Sequence, residues 1–138
     1  MKTSARVLSI APDKTAGFAA DEKGASAAAR PMLKFERVGF EYDGRAIMAN
    51  VSFAVRPGEL VALLGPSGCG KTTILNLVAG FLQPSEGVAL VDNREIAGPG
   101  PDRGVVFQAA ALFDWMTVAD NISFSLRCAG RPKAERRQ

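Results

Sequence analysis

Residues 59–73 read ELVALLGPSGCGKTT, and the fold follows from how that stretch divides. Leu60, Val61, Ala62, Leu63 and Leu64 make an apolar run of strand length, as expected for a central parallel strand covered on both faces. Gly65, Pro66, Ser67, Gly68, Cys69, Gly70, Lys71 and Thr72 then match the pattern G-x-x-x-x-G-K-[ST]. Further on, Ile74, Leu77, Val78 and Phe81 fall at i, i+3, i+4 and i+7, one face of a helix. Gly80 and Pro84 mark where that helix ends.

A strand, a glycine-rich loop and a helix in this order suit a phosphate group. Glycines at 65, 68 and 70 let the backbone approach an anion closely and adopt positive φ. Successive N–H groups then point inward as a nest, and the helix adds the positive end of its dipole, about half an elementary charge. Lys71 carries a mobile cation to the β and γ phosphates, and the Thr72 hydroxyl is placed to ligate Mg²⁺. The plain alternative is a glycine-rich turn that binds nothing. The visible strand and helix on either side weigh against it.

Around this centre the chain reads as alternating turns and short strands. Leu33 and Phe35 alternate with polar residues before the apolar phase shifts to Val38, Phe40 and Tyr42, and Asp43-Gly44 is a hairpin signal. Val51, Phe53 and Val55 predict a half-buried strand, closed by a type II turn at Pro57-Gly58. Residues 88–91 predict a short strand ending in Asp92-Asn93, and Val105-Val106-Phe107 another. Thr117-Val118-Ala119-Asp120 has the form of a capping box ahead of a helix with the stripe Val118, Ile122 and Leu126, broken at Gly130-Arg131-Pro132. Residues 1–31, rich in Ala, Ser, Lys and Asp, show no sustained period and predict a flexible leader. Residues 32–138 hold the predicted domain.

Composition narrows the function classes. The 138 residues are enough for one domain or a piece of a larger one, and 47% hydrophobic with 22% charged residues is globular. The net charge of +3 resides in residues 127–138, which carry net +4 and leave −1 for the rest. The basicity therefore belongs to a tail and does not argue for nucleic acid. With no histidine, imidazole bases, His-containing triads and His–metal clusters are excluded. Two cysteines, one inside the loop, suit a reducing compartment. Neither a membrane span nor a secretory leader is visible, so a cytosolic protein is expected, one free to work against a membrane.

From about residue 33 to 130 the chain resembles the ATP-binding cassette (ABC) ATPases. The matching segments are FEYDG at 40–44, RPGE at 56–59, GPSGCGKTT at 65–73, LVAGFLQPSEG at 77–87, VVFQ at 105–108 and ALFDWMTVADNI at 111–122. The W-x-T-V-x-D-N variant is similar to importers of nitrate, sulfonate, taurine and related small anions. The resemblance implies an α/β P-loop NTPase fold with an N-terminal antiparallel β subdomain, continuing into the start of a helical subdomain. It implies ATP and Mg²⁺ as ligands, with Tyr42 stacking on adenine, residues 65–73 including Thr73 around the phosphates, and Gln108 joining Thr72 at the metal. Tyr42 also reads as an ordinary strand tyrosine, and Gln108 as a polar strand cap. Implied partners are transmembrane permease subunits and a second ATP-binding subunit, with the chain on the cytoplasmic face of the membrane. Phe113 and Trp115 read equally as exposed anchors for those partners or as core of the helical subdomain.

Some of the family's parts are not found in these 138 residues. No LSGGQ-like signature, no Asp-Glu pair after an apolar strand and no switch histidine occurs. The expectation is a fragment truncated before signature and Walker B motifs, with no visible catalytic residue and with apolar faces of residues 60–64 and 74–82 partly uncovered. A non-catalytic nucleotide-binding or regulatory role is the alternative. A third reading takes Val88-Ala89-Leu90-Val91-Asp92 as a Walker B strand, giving a compact NTPase. Against it, Asn93 follows in place of a glutamate, and Asp92-Asn93 is good turn chemistry.

Overall fold

A computed structural model describes residues 4–9, 19–20, 30–109 and 111–135. The chain divides into two compact units, Met1–Gly104 and Val105–Gln138. The first contains the strands β1 (Ser4–Ser9), β2 (Ala19–Ala20), β3 (Leu33–Tyr42), β4 (Arg45–Val55), β5 (Glu59–Leu64), β6 (Glu86–Val91) and β7 (Arg94–Glu95), with helix α1 (Lys71–Ala79). The second contains two short helices, α2 (Val118–Ile122) and α3 (Phe124–Cys128).

Two sheets organise the first unit. The antiparallel sheet has the order β4-β3-β6-β7. Its hairpin turns are those expected from sequence: Asp43 and Gly44 have φ of 49° and 71°, and Asp92 and Asn93 have 48° and 60°. Positive φ at both central residues matches the right-handed strand twist, which is why Asn, Asp and Gly occupy them. Phe35 and Phe53 face each other in register and stack with ring centroids 4.6 Å apart. The antiparallel portion implied by the resemblance is thus present.

The other sheet has the order β2-β1-β5, with β1 parallel to β5. Here the structure departs from two expectations. Residues 4–9 belong to the stretch expected to be a flexible leader, yet they form a strand. Six residues with Val7 and Leu8 at their centre suffice once a strand edge is available to pair with. The rest of that leader, apart from residues 19–20 and 30–31, lies outside the described residues. Nor is β5 covered on both faces. Its side chains alternate, with Val61 and Leu63 packed against the core while Leu60 and Leu64 are 63% and 55% exposed. A uniformly apolar run signals a strand but does not say how many faces are covered. The exposure of Leu60 and Leu64 agrees with the expectation that residues 60–64 are partly uncovered.

The core joins both sheets to the helix. Leu8, Phe35, Val38, Met48, Val51, Phe53, Ala89 and Ile96 form one buried cluster with Ile74 and Leu77 of α1. Helix α1 ends at Gly80, whose φ of 80° permits Gly80 N–H to donate to Leu77 O and Phe81 N–H to Asn76 O.

In the second unit, Thr117 caps α2 as its sequence predicted. Its Oγ1 accepts from Asp120 N–H at 3.2 Å and donates to Asp120 Oδ2 at 2.7 Å. The single helix expected behind it is instead two five-residue helices parted at Ser123, and Val118, Ile122 and Leu126 are exposed. An apolar stripe buries itself only where a surface lies opposite, and none is supplied within this unit. Val105-Val106-Phe107, expected as a strand, has irregular backbone instead.

Candidate functional site

The candidate site is the loop at residues 65–70 between β5 and α1. Its approach is set before the loop begins. Gly58 has φ of 74°, Glu59 N–H donates to Arg56 O, and Arg56 N–H donates to Glu59 Oε2 at 2.8 Å. This closes the expected Pro57-Gly58 turn and launches β5. Within the loop, Cys69 N–H donates to Pro66 O at 3.4 Å, and Gly68 and Gly70 have φ of 78° and 97°. Both glycines lie in the left-handed region that side chains disfavour. A Cβ at either would meet nothing within 4 Å, so the backbone faces open space.

Helix α1 starts without a side-chain cap. Gly70 is the N-cap, the first helical bond runs from Ile74 N–H to Gly70 O at 2.9 Å, and the first turn holds no acidic residue. The N–H groups and positive dipole end at Lys71, Thr72 and Thr73 therefore have no local carboxylate to neutralise them. Thr72 is exposed and Thr73 half-buried.

Lys71 completes the loop. Its Nζ donates to Gly65 O at 2.9 Å and Pro66 O at 2.6 Å, and lies 3.5 Å from Cys69 Sγ. The cation is thus held by the loop's own carbonyls. An ammonium, a glycine-rich backbone and an uncapped helix start thus meet within one short loop. These residues fit a polyphosphate, and their donor set does not suit a cation alone.

The other expected site residues are carried by segments other than this loop. Tyr42 sits at the hairpin end of β3, 64% exposed, in the sheet that lacks β5. Gln108 belongs to the second unit, where it is exposed at a bend and follows no strand. Asp92 lies in the β6–β7 hairpin, and β6 runs antiparallel to β3, so the acid is turn chemistry at the rim of the other sheet. That arrangement removes the support for a Walker B strand at residues 88–92.

Three features escaped the sequence reading. One is the Lys71–Cys69 contact, for which spacing offers no signal. Another is Asn121, whose Oδ1 accepts from Phe113 N–H at 2.8 Å while Nδ2 lies 3.1 Å from Phe113 O, 3.3 Å from Met116 O and 3.1 Å from Thr117 O. An Asn four residues behind a Thr cap was the available clue. The third is the division of labour between two aromatics. Phe113 packs on Phe124 at 4.5 Å and is half-buried, whereas Trp115 is 78% exposed.

A glycine-rich loop between a parallel strand and a helix, with lysine and threonine at the helix start, defines a P-loop NTPase fold. More narrowly, the chain belongs to the ABC transporter family, whose model matches residues 48–138. Among curated relatives, it is 48% identical over 106 residues to the taurine import ATP-binding protein of Yersinia pestis bv. Antiqua, covering 77% of this chain and 42% of that protein. It is 51% identical over 108 residues to the protein of the same name from Chromobacterium violaceum, covering 77% and 41%. The counterpart from Ruegeria pomeroyi is 48% identical over 104 residues, covering 72% and 39%. The chain thus spans about two fifths of the length of these relatives. No helix among the described residues is long and apolar enough to cross a membrane.

Proposed function

We propose that this chain provides the nucleotide-holding part of an ABC importer's ATP-binding subunit, serving uptake of a small anion such as nitrate, sulfonate or taurine. The observation that carries the reading is Lys71, whose ammonium is held at the mouth of a loop that feeds an uncapped helix. On binding ATP, Lys71 exchanges the Gly65 and Pro66 carbonyls for β and γ phosphate oxygens. The backbone N–H groups of residues 67–73 donate to the remaining oxygens, while Pro66 shapes the loop without donating. Thr72 would hold Mg²⁺, and the family resemblance implies Gln108 as a further ligand; the ion would supply charge neutralisation between the phosphates. Tyr42 offers its exposed ring to adenine.

The names of the taurine-import relatives favour taurine among the substrates. The family resemblance implies a place on the cytoplasmic face of the membrane, with permease subunits and a second ATP-binding subunit as partners. A second reading is a nucleotide-binding or regulatory chain without turnover, and what favours it is that residues 65–73 carry no acid to orient an attacking water.

Titration with Mg·ATP of the native chain and of Lys71→Ala tests the common core of both readings. Losing a charge-assisted contact of this kind weakens binding about 10- to 100-fold. Equal affinity in the two proteins would sink the assignment.

A further inference from the structure

Between helix α1 and strand β6 the chain passes through Ser85, and this residue bonds to β3 twice. Its backbone N–H donates to Gly39 O at 2.9 Å. Its Oγ accepts from Glu41 N–H at 3.0 Å. The β3–β6 ladder reaches Gly39↔Glu86, so the hydroxyl grips β3 two residues beyond that pair. A hydroxyl on a single carbon suits this, since it offers an acceptor close to its own backbone. Glu41 directly precedes Tyr42, whose ring stands at the hairpin end of β3. From Ser85 back towards the phosphate loop the chain is held at each step. Pro84 fixes its own φ, and the N–H groups of Phe81 and Leu82 donate to Asn76 O. Ile74 and Leu77 then bury α1 in the cluster that contains Phe35 and Val38 of β3.

We propose that Ser85 is a positioning residue for nucleotide recognition, tying the Tyr42 end of β3 to the far end of the helix that begins at Lys71. The proposal rests on the reading of Tyr42 as the adenine platform and of the loop as the triphosphate cradle. A nucleotide has a limited reach from base to γ phosphate. Stacking and phosphate contacts therefore reinforce each other only when the two parts of the protein are held at a matching separation before it binds. Without the Ser85 hydroxyl, the tip of β3 keeps its β4 partners, Glu41↔Ala46 and Tyr42↔Arg45, but loses this tie to the helix side.

Binding of Mg·ATP and of Mg·tripolyphosphate to the full chain tests this, since tripolyphosphate reads the loop alone. The native chain should prefer ATP, and Tyr42→Ala should remove about fivefold or more of that preference. Ser85→Ala should lower ATP affinity about 2- to 10-fold with tripolyphosphate unchanged, and Ser85→Thr, which keeps the hydroxyl, should restore it. Ser52→Ala is the control. Ser52 Oγ accepts from Arg37 N–H at 2.9 Å in the same sheet but away from the hairpin tip, so its loss leaves the preference intact. A preference unmoved by Tyr42→Ala overturns the adenine reading and this proposal with it. A preference that falls in Tyr42→Ala but not in Ser85→Ala overturns the role of Ser85 alone. Equal falls in Ser85→Ala and Ser52→Ala, or in ATP and tripolyphosphate affinity together, overturn that role as well.

Discussion

The Lys71 ammonium lies 2.6 Å from the carbonyl oxygen of Pro66, five residues back along the chain and on the opposite limb of the loop. This bond, together with that to Gly65 O, makes Lys71 part of the loop's own architecture as well as a ligand for phosphate. Removing the ammonium leaves those two carbonyls to solvent. Lys71→Ala is therefore expected to lower stability by about 1 kcal/mol without nucleotide present. Urea unfolding of both proteins in nucleotide-free buffer checks this, and an unchanged midpoint would confine Lys71 to ligand binding.

Gly80 closes α1 with φ of 80°, and a Cβ there would lie 2.2 Å from the carbonyl oxygen of Gly98. The clash is with backbone, which has no rotamer to move. Gly44 has a similar φ of 71° but nothing within 4 Å of its added Cβ. Gly44→Ala should cost about 1 kcal/mol from backbone strain alone, and Gly80→Ala about 3 kcal/mol or more. Comparable melting temperatures for the two variants would contradict the close approach of Gly98 to the helix end.

Asn121 ties the segment from Phe113 to Thr117 through its side-chain amide. Asn121→Ala leaves the Phe113 N–H without that acceptor and should loosen the second unit by about 1–3 kcal/mol. Asn121→Asp keeps an acceptor for Phe113 N–H but sets a carboxylate against three carbonyl oxygens, so it does not rescue. Exchange rates at residues 113–117 are the readout, and rapid exchange confined to both variants is the expected result.

Trp115 is the single tryptophan and stands largely in solvent. Its emission should be that of a water-exposed indole and should be quenched efficiently by acrylamide. An apolar partner closing over this residue would shift the emission to the blue. A blue-shifted, poorly quenched spectrum in the isolated chain would contradict the exposure.

Phosphate release from ATP by the isolated chain should stay at background. The loop can hold phosphates, but none of the described acids lies in the loop, and Asp92 belongs to a hairpin turn. Lowering the barrier requires a group that orients the attacking water as well as one that holds the phosphates. Turnover above background that survives in the native chain and vanishes in Asp92→Asn would restore the compact-NTPase reading.

The most local features were legible in the residues themselves. Gly68, Gly70, Lys71 and Thr72 announce the loop because positive φ, an uncapped helix start and a long cationic side chain are each demanded within a few positions. The same holds for the turns at Asp43-Gly44, Pro57-Gly58 and Asp92-Asn93, and for the Thr117 cap. What only the tertiary structure decided was partnership over distance. Val7 and Leu8 look like part of a polar leader until the edge of β5 is there to pair with. Val105-Val106-Phe107 looks like a strand, yet its backbone is irregular in the structure. Leu60 and Leu64 look buried until the number of covered faces is known. Backbone hydrogen bonds in a sheet belong to two segments at once, so a strand's sequence states its willingness to pair, and the rest of the fold states whether it does.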